Sequence, residues 1–128
     1  MKPVDQTKLH SETVTGNCTE AALASIFEVS IADVPQFSEM TEGEGRWYLA
    51  LEEWLYARGW ELVRLDYEFC PEGFYLASGQ SQRGVAHMVV MKDGALAHDP
   101  HPSRTGIINV ESVYLFLPMD PAQFQVCA

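Results

Sequence analysis

The chain has 128 residues, 47% of them hydrophobic, which suits one compact domain with its own core and argues against disorder. Eighteen acidic residues against eight basic ones give a formal charge of -10, which argues against nucleic acid as a partner, because phosphate binding needs a basic surface. No apolar run approaches the ~20 residues of a membrane span, and the N-terminal stretch lacks the apolar core of a signal peptide, so no membrane contact and a cytoplasmic location are the expectations.

The first dozen residues are polar and read as an irregular arm. A helix should begin at Asn17 or Cys18, with Asn17 as N-cap, and present Ala22, Leu23, Ile26 and Phe27 on one face. Its alanines and other small residues allow close packing on all sides. Ser30 to Pro35 reads as a short helical turn stopped by proline. After a break at Gly43-Glu44-Gly45, a second helix runs from about Glu44 to Arg58, with Trp47, Leu51, Trp54 and Leu55 along one face and Gly59 as its stop.

Beyond Gly59 the period changes to that of strands. Trp60 to Leu65 and Phe74 to Ala77 are the first two, separated by a turn at Cys70-Pro71-Glu72-Gly73. Ser78 to Gly84 reads as a loop crossing the mouth of a cleft. Ala86 to Met91 and Ala95 to Asp99 form a hairpin about an Asp93-Gly94 turn, and Val113 to Leu117 closes the sheet. Helices first and antiparallel strands after make an α+β chain.

Three cysteines, without a secretion signal or a CxxC pair, suggest neither a disulfide framework nor a structural zinc site. Cys18 stands out because a helix start offers free N–H groups and a dipole that favour a thiolate and could also hold an oxyanion. The alternative is a core cysteine that happens to lie at a helix start. His87 opens a hydrophobic strand, and pairing across the Asp93-Gly94 tip sets it opposite Pro100, next to Asp99. A carboxylate there can fix the imidazole tautomer. His98, Asp99 and His101 could also suggest a metal, but the neighbours His98 and Asp99 point to opposite sides of a strand, and no metal is expected. Trp47, Trp54 and Trp60 read as core, and Cys70 and Cys127 receive no role.

Gly16-Asn17-Cys18-Thr19-Glu20-Ala21-Ala22-Leu23-Ala24-Ser25-Ile26, with His87-Met88-Val89-Val90 and Asp99-Pro100 following in order, resembles the papain-like cysteine peptidases, and most of all their bacteriocin-processing branch. It is also similar to small bacterial and phage proteins with a His-Asp-Pro-His-Pro-Ser segment. The resemblance implies a papain-like fold over residues 1–128, with a nucleophile helix and a second helix packed on an antiparallel sheet. It implies Cys18 as nucleophile, His87 as base and acid, Asp99 as orienting group, no cofactor, and a peptide or small amide as substrate. Such peptidases place an oxyanion-hole glutamine about six residues before the cysteine, where this chain has Glu12; Gln6 lies twelve residues before it. Thr13, Thr15 and Asn17 are the candidate substitutes, while Arg83 and His101 are candidate substrate contacts, Arg83 for a substrate carboxylate. A non-catalytic peptide-binding domain that keeps the fold is the second reading.

Overall fold

The computed structural model describes residues 1–40 and 46–120. The expected Gly43–Gly45 break, the first residues of the second helix and Cys127 lie outside these. The described architecture is α+β: two helices packed on a five-stranded antiparallel sheet. In chain order the elements are α1 (Cys18–Phe27), α2 (Arg46–Tyr56), β1 (Trp60–Leu65), β2 (Phe74–Gln80), β3 (Ala86–Lys92), β4 (Ala95–His98) and β5 (Ser112–Pro118). The strands lie side by side as β1-β5-β2-β3-β4, each pair antiparallel.

Strand alternation divides the core into two layers. Leu62, Leu76, Met88, Val90 and Tyr114 face the helices, where they meet Leu23, Leu51 and Leu55. Tyr75, Ala77, Val89, Met91 and Val113 face the other way, against Ile107 and Val110. Residues 20–25 of α1 are all buried, as the run of small side chains anticipates. Short 3-10 turns at Ile31–Asp33 and Phe37–Glu39 follow the helix; Ser30 caps the first through its hydroxyl, and the sequence gives no signal for the second. The tryptophans are partly buried against the helix-side layer, with Trp54 and Trp60 edge-on to Phe27.

The N-terminal arm is docked rather than loose. Val4 N–H donates to the Ser25 hydroxyl on α1, and the Gln6 N–H donates to the Pro100 carbonyl. Thr7 and Lys8 N–H groups both donate to Asn17 Oδ1, at 3.0 and 2.9 Å. Asn17 therefore occupies the N-cap position of α1 without a side-chain cap, because its amide holds the arm instead.

Two strands differ from their sequence expectation. β2 continues through Ser78, Gly79 and Gln80, which composition marks as loop. Its polar end finds main-chain partners in a segment lying across it: Ile108 N–H donates to Gln80 O and Glu111 N–H to Ser78 O. That segment passes so close that a Cβ on Gly79 would stand 2.0 Å from the Asn109 carbonyl oxygen. The β3–β4 hairpin keeps the expected tip, with Asp93 and Gly94 at φ 52 and 85 and Lys92 opposite Ala95. A bulge then pairs Val90 with His98 and shifts the register by one residue, so the strand ends one position earlier than expected.

Gly79→Ala should therefore lower stability by roughly 1–3 kcal/mol or more, since backbone rather than a flexible side chain must yield. Urea unfolding would show this as a lower midpoint, and an unchanged midpoint would contradict the close approach.

Candidate active site

A cleft of about 710 Å³ lies where the start of α1 meets the start of β3. Cys18, the first residue of α1, and His87, the second of β3, both line it. By strand alternation His87 shares the sheet face of Val89 and Met91, which residues 107 and 110 cover. Asp99 reaches the ring from the loop that leads into that cover. The His87 ring is buried, and its Nε2 lies 2.6 Å from Asp99 Oδ1. The expected pairing across the hairpin thus exists, by a different register.

The Asp99 carboxylate is more fully held than hairpin geometry anticipates. Oδ1 also accepts from His101 N–H at 2.9 Å, and Oδ2 accepts from Gly106 N–H at 2.8 Å. Burial raises its pKa, but the His87 bond and the two backbone donors outweigh burial and hold the carboxyl below its usual value. Arg104 donates to the Asp99 carbonyl and forks onto Asp5 at 2.6 and 2.7 Å, so the Asp99 loop is tied to the arm. His98 serves another partner, donating from Nε2 to the Val4 carbonyl at 3.0 Å.

Cys18 departs from the expectation of a ready thiolate. Burial pushes its thiol pKa up, and the nearby Glu20 charge adds to this. A backbone hydrogen bond from Met88 works the other way and does not prevail. No hydrogen bond joins Cys18 to His87 among the described residues. Glu20 is itself buried, its pKa raised by desolvation against two Ser38 hydrogen bonds to Oε1, at 2.8 and 2.7 Å. The helix start thus carries a buried acid beside the thiol, and desolvation dominates both groups.

The oxyanion candidates separate. Thr15 lines the cleft, whereas Asn17 faces a neighbouring groove with its Nδ2 donating to Thr7 Oγ1, and Thr13 lies outside the cleft lining. Glu12 is exposed and does not line the cleft either. The residue that does is Gln6, carried in by the arm against Gly16: a Cβ on that glycine would lie 3.4 Å from Gln6 Nε2. Gln6 Nε2 donates one hydrogen to Lys8 O at 2.8 Å, while its Oε1 is buried without a partner among the described residues. The twelve-residue separation hid this placement, because residues between 6 and 18 form a turn closed by Ser11 N–H to Val14 O and Asn17 N–H to Lys8 O. His10, carried on the same turn, also lines the cleft and has no sequence signature.

Arg83 and His101 both line the cleft. They meet at Ser103, whose Oγ accepts from Arg83 at 3.0 Å and lies 2.8 Å from His101 Nδ1. Cys70 is exposed near Gly94, at the β3–β4 turn.

The chain matches no family model, no curated protein and no solved structure. The class that fold and site define is an α+β protein with a thiol, a carboxylate-paired imidazole and a glutamine amide facing one cleft. No helix among the described residues is long and apolar enough to cross a membrane.

Glu20→Gln keeps an acceptor for Ser38 and removes a charge that raises the Cys18 thiol. Its alkylation by iodoacetamide should shift to lower pH and be about two- to threefold faster at pH 8, read by mass spectrometry of the Cys18 peptide. An unchanged profile would remove Glu20 from the electrostatics of the thiol. Asp99 has a folded pKa below its unfolded value, so its stabilisation is present above about pH 4 and lost as the pH falls through the folded value. Urea midpoints measured down to pH 2 should drop in that window for the wild type, and less steeply for Asp99→Asn.

Proposed function

We propose that this protein is a papain-like cysteine hydrolase that cleaves a peptide or other amide bond through Cys18, His87 and Asp99. The observation that carries this reading is the buried His87–Asp99 pair, whose ring opens on the same cleft as a cysteine at a helix start. With Nε2–H donated to Asp99, the neutral ring has its lone pair on Nδ1, the nitrogen left to act as base.

The raised thiol pKa favours a protonated Cys18 sulfur over a thiolate before substrate binds. Substrate binding then brings the carbonyl to the sulfur as His87 Nδ1 takes the thiol proton, and the C–S bond forms. The oxyanion meets the Cys18 N–H, which as the first helical donor has no intrahelical acceptor, and the second hydrogen of Gln6 Nε2. His87 returns its proton to the leaving nitrogen as the C–N bond breaks. Water, deprotonated by the same ring, hydrolyses the thioester and regenerates the thiol. Asp99 stays ionised throughout and stabilises the imidazolium.

The raised pKa of the partly buried Cys18 thiol favours a second reading, a peptide-binding cleft without turnover. A library of peptide aminomethylcoumarins separates the two. The wild type should release fluorophore, and Cys18→Ala should release none. Gln6→Ala should lower kcat by about 10²–10³ with little change in KM, the mark of a donor used in the transition state. Release that survives Cys18→Ala would overturn the proposal. Binding of library peptides with no release at any pH would leave the second reading.

A further inference from the structure

Charge is distributed unevenly between this cleft and the rest of the chain. Of eighteen acidic residues in the sequence, none among those described lines the cleft. Arg83 is the one permanently charged side chain among the described lining residues, and it is accompanied by His10, His87 and His101. Arg64 and Arg104 are each engaged by a carboxylate, Asp66 and Asp5. Arg83 has no carboxylate partner among the described residues, and its hydrogen bond goes to the neutral Ser103 hydroxyl.

That bond also fixes where the guanidinium stands. Ser103 Oγ is bonded in turn to His101 Nδ1 and to Thr105 Oγ1, at 2.8 and 3.1 Å. The His101 ring stands edge-on to the His87 ring, with centroids 6.2 Å apart. The cation is therefore held on the His87 side of the cleft. In acyl transfer, the substrate atom nearest the imidazolium is the leaving nitrogen, because that is where the proton goes. The rest of the cleft is lined mostly by apolar groups, among them Phe37, Met40, Trp47 and Tyr114, alongside Thr15, Thr19 and Ser38.

We infer that the substrate is an amide with an apolar acyl portion and a free carboxylate on its leaving amine, the C-terminal residue of an acyl chain, and that Arg83 receives that carboxylate. This deepens the hydrolase reading and rests on it for the direction of the bond cleaved. Arg83 keeps one guanidinium nitrogen on Ser103 and turns the others to the carboxylate, in the charge-assisted geometry that arginine forms with such groups. His101 is held below its ordinary pKa, first by burial and then by the Arg83 charge. Cleavage releases a free amino acid whose nitrogen has gained the proton from His87, and hydrolysis of the thioester releases the apolar acid. The acidic total of the chain alone points to basic or neutral ligands; the cleft points to an anionic end group.

The test uses matched pairs: benzoyl-leucine and an acetylated peptide ending Phe-Leu, each as free acid and as C-terminal carboxamide. In Cys18→Ala, which binds without cleaving, calorimetry should give a dissociation constant at least about tenfold lower for the free acid. Adding Arg83→Gln should bring that ratio to within about twofold. Equal binding of acid and carboxamide, or a preference that survives Arg83→Gln, overturns the inference. Should the double variant fold poorly, salt decides: the preference in Cys18→Ala should shrink between 50 and 500 mM NaCl, and a salt-independent preference counts against Arg83. Tighter binding of benzoyl-leucine identifies a small N-acyl amino acid, and tighter binding of the longer acid a peptide end. Wild-type release of leucine is read separately. Preference without release supports the carboxylate site while failing the hydrolase reading, and release without preference does the reverse.

Discussion

The Asp99 carboxylate is the constraint on which the rest of the site depends. It is one ionised group in a nearly inaccessible position, at 2% exposure, and it is tolerable there only because three donors converge on it. Two of those donors are main-chain N–H groups at 101 and 106, so the charge folds its own loop around itself. The third is the His87 ring, so the same charge sets an imidazole at the edge of the cleft with a chosen nitrogen outward. Loop shape and base orientation are therefore one property. Neither can change without leaving a buried carboxylate short of a partner.

From that loop the constraint passes to the N-terminal arm. Arg104 links the Asp99 carbonyl to Asp5, Pro100 O accepts from Gln6, and His98 reaches back to Val4. On the other side, Ser25 and Asn17 hold the same arm to α1. The arm thus bridges the element that carries the thiol and the loop that carries the carboxylate. Gln6 arrives in the cleft as a consequence of both attachments. The environment of Cys18 follows from the same closeness: a helix packed on all sides gives its first residue a desolvated thiol, and desolvation outweighs the favourable helix end.

Much of this was legible in the sequence. The period changes and the Asp93-Gly94 tip fixed the order of helices and strands, and small residues after Cys18 announced a buried helix. The hairpin tip places Asp99 near His87, and the pair exists, but the bulge at Ala97 has no signal in Ala95-Leu96-Ala97-His98. The polar composition of Ser78-Gly79-Gln80 suggests loop, yet the Ser78 and Gln80 carbonyls accept from main-chain N–H groups of the segment lying over them, which no composition signals. Asn17 at a helix start suggests a local role as cap, whereas its side chain ties down the arm ten and nine residues before it. The helix end is visible in the sequence and favours a thiolate at Cys18, but the burial and Glu20 charge that raise its pKa depend on tertiary packing.

Gln6 has a further consequence for how this chain can vary. Its position relative to Cys18 is set by attachments at Val4, Gln6 and Asn17, and not by the count of residues between. The intervening turn closes a loop, and the entropy of closing a flexible loop grows only with the logarithm of its length, about 0.6 kcal/mol for each doubling. The stretch from Ser11 to Val14, exposed and outside the cleft lining, is thus close to a free dimension of the molecule. It can lengthen or shorten at little thermodynamic penalty while the amide and the sulfur keep their places, provided the three anchors stay.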